Sequence, residues 1–95
     1  MNIQIQAINF VVDKELKDFL IKKVDKLISI NDSIINADVY LKVEKPESYQ
    51  NKVVEIKLHS SDGVFFAKKQ SDSFEESADL SVQALRKQIL KQKQK

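Results

Sequence analysis

The sequence predicts a single two-layer α+β domain in the order β-α-β-β-β-α, a four-stranded sheet with two helices on one of its faces. Three observations predict it. Four segments alternate apolar and polar residues at the period of a half-buried strand, and two others repeat apolar residues at helical spacings of three and four. Between them stand the breakers Asn31-Asp32-Ser33, Lys45-Pro46-Glu47-Ser48 and Asp62-Gly63. A chain of 95 residues has room for one core. At this size folding buries roughly 60–65% of the unfolded surface, enough to fold alone with little stability to spare.

Ile3, Ile5 and Ala7 alternate with Asn2, Gln4 and Gln6, which predicts the first strand. Asp13 is placed to cap a helix of about four turns whose apolar stripe is Leu16, Phe19, Leu20, Val24, Leu27 and Ile28. Asn31-Asp32-Ser33 ends it. Ala37, Val39, Leu41 and Val43 alternate with Asp38, Tyr40, Lys42 and Glu44 in a second strand. The pattern then breaks at Pro46, and the stretch to Asn51 is expected to be a mobile loop. Val54, Ile56 and Leu58 alternate with Glu55, Lys57 and His59 in a third strand. Asp62-Gly63 is expected to supply the left-handed residues of a tight hairpin that returns Val64 to Lys69 as a fourth. The last segment opens with a capping box. Ser73 takes the amide of Glu76, and the Glu76 carboxylate reaches back to the amide of Ser73. Phe74, Ala78, Val82, Leu85 and Ile89 then form one helical face. Alternation in the strands buries one sheet face and leaves Tyr40, Lys42, Glu55, Lys57 and His59 on the open one.

Much chemistry is excluded. There is no cysteine, hence no disulfide, thiol nucleophile or cysteine-based metal site, and a reducing cytoplasm is the expected setting. Met1-Asn2-Ile3-Gln4-Ile5 does not open a signal peptide, and no apolar run approaches a membrane span. The single glycine rules out a glycine-rich phosphate loop. His59, the only histidine, reads as an isolated surface residue without a nucleophile or orienting partner, not as a catalytic base. No ligand spacing suits zinc. Glu75, Glu76 and Asp79 read as capping and helix-dipole compensation. The expectation is a protein that is not an enzyme and holds no cofactor or metal.

With a net charge of only +2, any polyanion binding rests on where the cations fall. On the first helix Lys22, Lys23 and Lys26 share one flank of the apolar stripe while Asp18 and Asp25 take the other, a segregation beyond what solvation needs. The last helix starts acidic and finishes with Arg86, Lys87, Lys91, Lys93 and Lys95. Lys87 and Lys91 stack on one side, Arg86 and Lys93 on another. If both helices cover one sheet face, their basic rows can line a shared groove that tracks phosphates and loosens with salt. Phe65, Phe66 and Phe74 at these spacings are expected in the core; Tyr40 and Tyr49 are expected to be accessible. Two classes of function remain: an RNA-binding module reading shape and phosphate, or a protein-interaction domain using its open sheet face.

The whole chain, 1 to 95, resembles the short ribosome hibernation promoting factor and its relative, the ribosome-associated inhibitor A. The resemblance is carried by the Asn2-Ile3-Gln4-Ile5 strand, Leu41-Lys42-Val43-Glu44-Lys45, the Asp62-Gly63 hairpin, and Phe74-Glu75-Glu76-Ser77 as a variant helix start. The closing run Ala84-Leu85-Arg86-Lys87-Gln88-Ile89-Leu90-Lys91-Gln92-Lys93 resembles the family's characteristic last helix, and the combination is more specific than any single motif. It implies a fold like a double-stranded-RNA-binding domain with an added first strand. It further implies a factor bound to the small ribosomal subunit and 16S rRNA, in the channel for mRNA and the A- and P-site tRNAs. Such a factor inhibits translation by steric competition with mRNA and tRNA, preserves idle ribosomes under stress or in stationary phase, and is a monomer off the ribosome. By the resemblance, Lys23 and Lys26 match basic positions of the first family helix, and Lys87, Lys91 and Lys93 those of the last. Charge placement adds Lys22, Lys69 and Arg86. Two departures stand out: Ser73-Phe74-Glu75 replaces the Asp-x-Tyr that many members carry, and the ending at Lys95 corresponds to the short form without a C-terminal dimerisation domain. Family members differ in whether they pair ribosomes, with or without a separate ribosome modulation factor, or keep them single. Both behaviours stay open here.

Overall fold

In a computed structural model of the protein, residues 2–44 and 50–93 are described, the side chain of residue 93 excepted. The elements are β1 (Asn2–Ala7), α1 (Lys14–Ile28), β2 (Ile34–Val43), β3 (Lys52–Ser60), β4 (Gly63–Ser71) and α2 (Phe74–Lys93), in the predicted order. The expected loop after β2 falls largely on 45–49, outside the described residues. The sheet runs β1-β2-β3-β4. β1 pairs parallel with β2, Ile5 opposite Val39, and the other pairings are antiparallel, Val39 opposite Ile56 and Ile56 opposite Ala67. A parallel pair needs a crossover, which α1 supplies.

Period-2 alternation sends Ala37, Val39, Leu41, Val54, Ile56, Leu58, Phe65 and Ala67 to one face, where Leu20, Val24, Leu27 and Ile28 of α1 and Ala78, Leu85 and Ile89 of α2 close over them. Burial of this apolar surface is the main stabilising term. Asp13 caps α1 as expected, its Oδ1 accepting from the amide of Leu16 at 2.8 Å. At the far end the Asn31 side chain accepts from both the amide and the hydroxyl of Ser33, turning the chain toward β2.

Buried serines fasten α2 to the sheet. Ser77 Oγ donates to the carbonyl of Lys52 at 2.6 Å, and Ser81 Oγ to that of Val54 at 3.3 Å. One helical turn and two strand residues both advance by about 6 Å, so the two bonds repeat in step along α2 and β3.

Four expectations are corrected. The hairpin's two turn residues are Ser61 and Asp62, because Ser60 already pairs with Gly63. Within the hairpin turn only Gly63 has positive φ, +138°, and Ser60 Oγ braces the turn by donating to the Gly63 carbonyl. The capping box is half formed: Ser73 Oγ accepts from the Glu76 amide at 3.1 Å, but the Ser73 amide donates to Ser71 Oγ at 3.3 Å and not to the Glu76 carboxylate. Phe66 is not in the core. Its neighbour Phe65 is, and consecutive strand residues point to opposite faces, which leaves Phe66 45% exposed. Phe74 is partly buried and stacks on Phe10 with ring centroids 5.1 Å apart. Finally, His59 is not isolated: its Nε2 lies 2.9 Å from Asp38 Oδ2 on the open face, a diagonal pairing across β2 and β3.

Candidate nucleic-acid interface

Each residue of a helix turns about 100° from the last, so the side that reaches the sheet dictates what flanks it. In α1, burial of Leu20, Val24 and Leu27 directs Lys23 toward α2, carries Lys22 to the outer crest and leaves Lys26 between the two, on the rim of the groove. In α2, burial of Leu85 and Ile89 puts Arg86 on the flank facing α1, and Lys87 with Lys91 on the flank facing β4. The two helices run in the same direction: Lys23 meets Asp79, and further along Leu27 and Ile30 share a groove with Val82 and Arg86.

That groove brings Lys23, Lys26 and Arg86 together over an apolar floor of Leu27, Ile30 and Val82. Lys23 is held in it from two sides. Its Nζ lies 2.9 Å from Asp79 Oδ1 and 5.5 Å from the centroid of the Phe19 ring. Both ends of the ion pair stay more than two-fifths exposed, so the pair positions Lys23 more than it stabilises the fold. Among the described residues, neither Lys26 nor Arg86 has a carboxylate within ion-pair distance. A cationic hollow with an apolar floor suits a phosphate approached by its sugar.

The remaining predicted residues lie elsewhere. Lys69 and Lys87 converge on the opposite flank of α2, around Leu80, Gln83 and Ala84. Lys91 lines a neighbouring hollow with Val64, Phe65, Gln88 and Gln92. Lys22 is exposed on α1 and lines none of these grooves. Lys93 is the last residue of α2, its side chain outside the described set. The expected shared groove therefore exists, but Arg86 joins the α1 row, while Lys87 and Lys91 form a second basic flank along β4. Lys87 follows Arg86 by one residue and Lys91 by five, offsets that swing both past the crest of α2.

Sequence reasoning misses one participant. Asp79 was grouped with Glu75 and Glu76 as a dipole-compensating acid, yet it sits a turn later and pairs with Lys23 across the helices. The signal was available in its helical phase, which matches that of Val82 and Arg86. Among the described residues no group of three or more metal-ligating side chains occurs, and no helix is long and apolar enough to cross a membrane.

Comparison with known proteins places this geometry. The profile of the family described as Sigma 54 modulation protein / S30EA ribosomal protein matches residues 3–95. A ribosomal subunit interface protein from Coxiella burnetii has a similar structure, with TM-score 0.88, 23% identity and complete coverage of both chains. The N-terminal domain of Protein Y from Thermus thermophilus is similar too, with TM-score 0.79 and 21% identity over 94% of this chain and 96% of that one. At these identities the likeness is one of fold. No curated protein sequence matches the chain.

Proposed function

Because this chain belongs to the Sigma 54 modulation protein / S30EA ribosomal protein family, we propose that it is a ribosome hibernation factor. It binds the small ribosomal subunit in the mRNA and tRNA channel at the A and P sites, contacts 16S rRNA, and inhibits translation by occupying that space. Idle ribosomes are thereby preserved under stress or in stationary phase. The factor is cytoplasmic, monomeric off the ribosome, and works by binding without catalysis. The observation that carries this reading is the convergence of Lys23, Lys26 and Arg86 from two helices into one groove, with Lys69 and Lys87 on a second flank. Cations gathered in this way neutralise phosphates and release counterions, whatever the RNA sequence.

Sedimentation with purified small subunits tests the reading. The protein is expected to travel with the subunit at low salt, to be released at high salt, and to be displaced by mRNA with initiator tRNA. Association indifferent to tRNA would place it elsewhere on the subunit and favour another structured-RNA target; no association at any salt would reject it.

Asp79 sharpens the test. In the free protein it competes with phosphate for Lys23. Asp79→Asn is therefore expected to tighten subunit binding roughly threefold at low salt, because removing one like charge from the contact is worth under about 1 kcal/mol. Thermal stability should hardly change. Weaker binding by this variant would mean that Asp79 holds Lys23 in its productive position instead.

A further inference from the structure

We propose that the open sheet face binds unpaired nucleotides, with Phe66 as the platform on which one base stacks and Lys57 and Lys68 beside it for the adjoining phosphates. This surface lies on the far side of the sheet from the helical grooves, and the proposal rests on the RNA reading above only for the nature of the polymer.

The placement follows from register. Phe66 pairs with Lys57 of β3, and Lys57 with Asp38 of β2; one row along, Lys68 pairs with Glu55, and Glu55 with Tyr40. Neighbouring strands are about 4.8 Å apart, so the Lys57 stem starts one strand spacing from the ring, and Lys68 follows on the same face two residues on. Phe66 is 45% exposed and Val64, two residues before it, 57% exposed, which makes an apolar shelf at the β4 edge of the face. The shelf is braced from behind: Gln88 Nε2 of α2 donates to the Phe66 carbonyl at 2.9 Å. A ring on a pinned strand is presented with little conformational freedom left to lose on stacking.

Charge selects the partner. Lys42, Lys57 and Lys68 face out beside Asp38, Glu44 and Glu55; Lys42 is paired with Glu44 at 4.0 Å, and Asp38 is engaged by His59 at 2.9 Å. Among the described residues Lys57 and Lys68 stand outside any ion pair and only Glu55 is left to oppose them, so the unpaired charge around the exposed aromatic is cationic. That combination suits bases and phosphates together, since every base has a face to stack and each stacked base contributes strongly to affinity. A duplex would not fit, because its base faces are already stacked on one another and only unpaired bases can reach the ring. A second copy of this chain pairing edge to edge along β4 is opposed by the consecutive exposed Lys68 and Lys69.

The test exploits the absence of tryptophan from this chain. Wild type, Phe66→Ala and Phe66→Trp are titrated with an unstructured single-stranded RNA octamer and with a duplex of equal length, after melting curves have shown all three folded. Phe66→Ala is expected to weaken octamer binding about tenfold or more and to leave duplex binding unchanged. Phe66→Trp should keep the affinity, and its indole emission should be quenched as the octamer saturates. Equal octamer affinity for wild type and Phe66→Ala overturns the proposal, as does indole emission that ignores saturating octamer. A loss confined to self-association, seen by sedimentation without any change in octamer binding, also overturns it in favour of a protein contact. Lys23→Glu with Arg86→Glu separates the two surfaces. That variant should lose the small subunit yet still bind the octamer through Phe66, and the octamer result stands or falls independently of the subunit result.

Discussion

Reversing Lys23, Lys26, Lys87 and Lys91 together to Glu is expected to abolish small-subunit binding while the thermal unfolding midpoint stays nearly unchanged. Each lysine that contacts a phosphate contributes about one unit to the salt slope of binding, and four reversals both remove contacts and add repulsion. A loss of at least about a thousandfold at moderate salt follows. Stability is largely spared because Lys26, Lys87 and Lys91 are exposed. Lys23 is the exception: the reversed side chain would face Asp79 and leave the Phe19 ring, a cost of about 1 kcal/mol or less for so exposed a pair. Sedimentation measures the first effect and thermal melting the second. Subunit binding at wild-type affinity would sink the proposed surface. The two halves of the variant separate further, since Lys23 with Lys26 and Lys87 with Lys91 occupy opposite flanks of α2. If both pairs prove necessary, α2 lies between two RNA segments; if only one does, the protein rests against a single backbone.

Ile56→Ala should have the opposite profile, with folding lost before binding. Ile56 is fully buried in the middle of the sheet, between Val39 and Ala67, in the core that the helices cover. Truncation there removes apolar burial and leaves a cavity that a four-stranded sheet cannot close, a cost of about 2–5 kcal/mol. A domain of this size has about 5–14 kcal/mol to lose. The midpoint is therefore expected to fall by at least about 10 °C, read by circular dichroism, while the fraction still folded binds the subunit normally. A drop equivalent to less than about 1 kcal/mol would contradict the packing described here.

The contrast between these variants reflects which features were legible in the sequence. Strand periodicity placed Ile56, Val39 and Ala37 in the core, and helical periodicity did the same for Leu20, Val24, Leu85 and Ile89. These signals are strong because burial imposes them on every second or every third to fourth residue. Asp13 and Ser73 were readable as caps because a cap needs only its own turn. The errors came where a choice depended on something distant or on phase. Ser71, only two residues before Ser73 but held against the buried Ser77 hydroxyl, takes the Ser73 amide in place of Glu76. Register moved the hairpin turn one residue back, to Ser61-Asp62. The spacing of Phe65, Phe66 and Phe74 suggests a buried group, but the strand phase of Phe66 already points outward.

The candidate surface divides in the same way. By itself the sequence determined the element order, the buried stripes, and the segregation of cations to one flank of α1 and to the end of α2, because all of these are local consequences of periodicity and charge. Only the tertiary structure decided which cations meet. Packing α1 and α2 side by side in the same direction put Arg86 with Lys23 and Lys26, tied Lys23 to Asp79, and turned Lys87 toward Lys69 on β4. A helix's buried face is written in its own residues, but its neighbour across a groove is set by the sheet order and by the relative shift of two helices, which no single segment encodes.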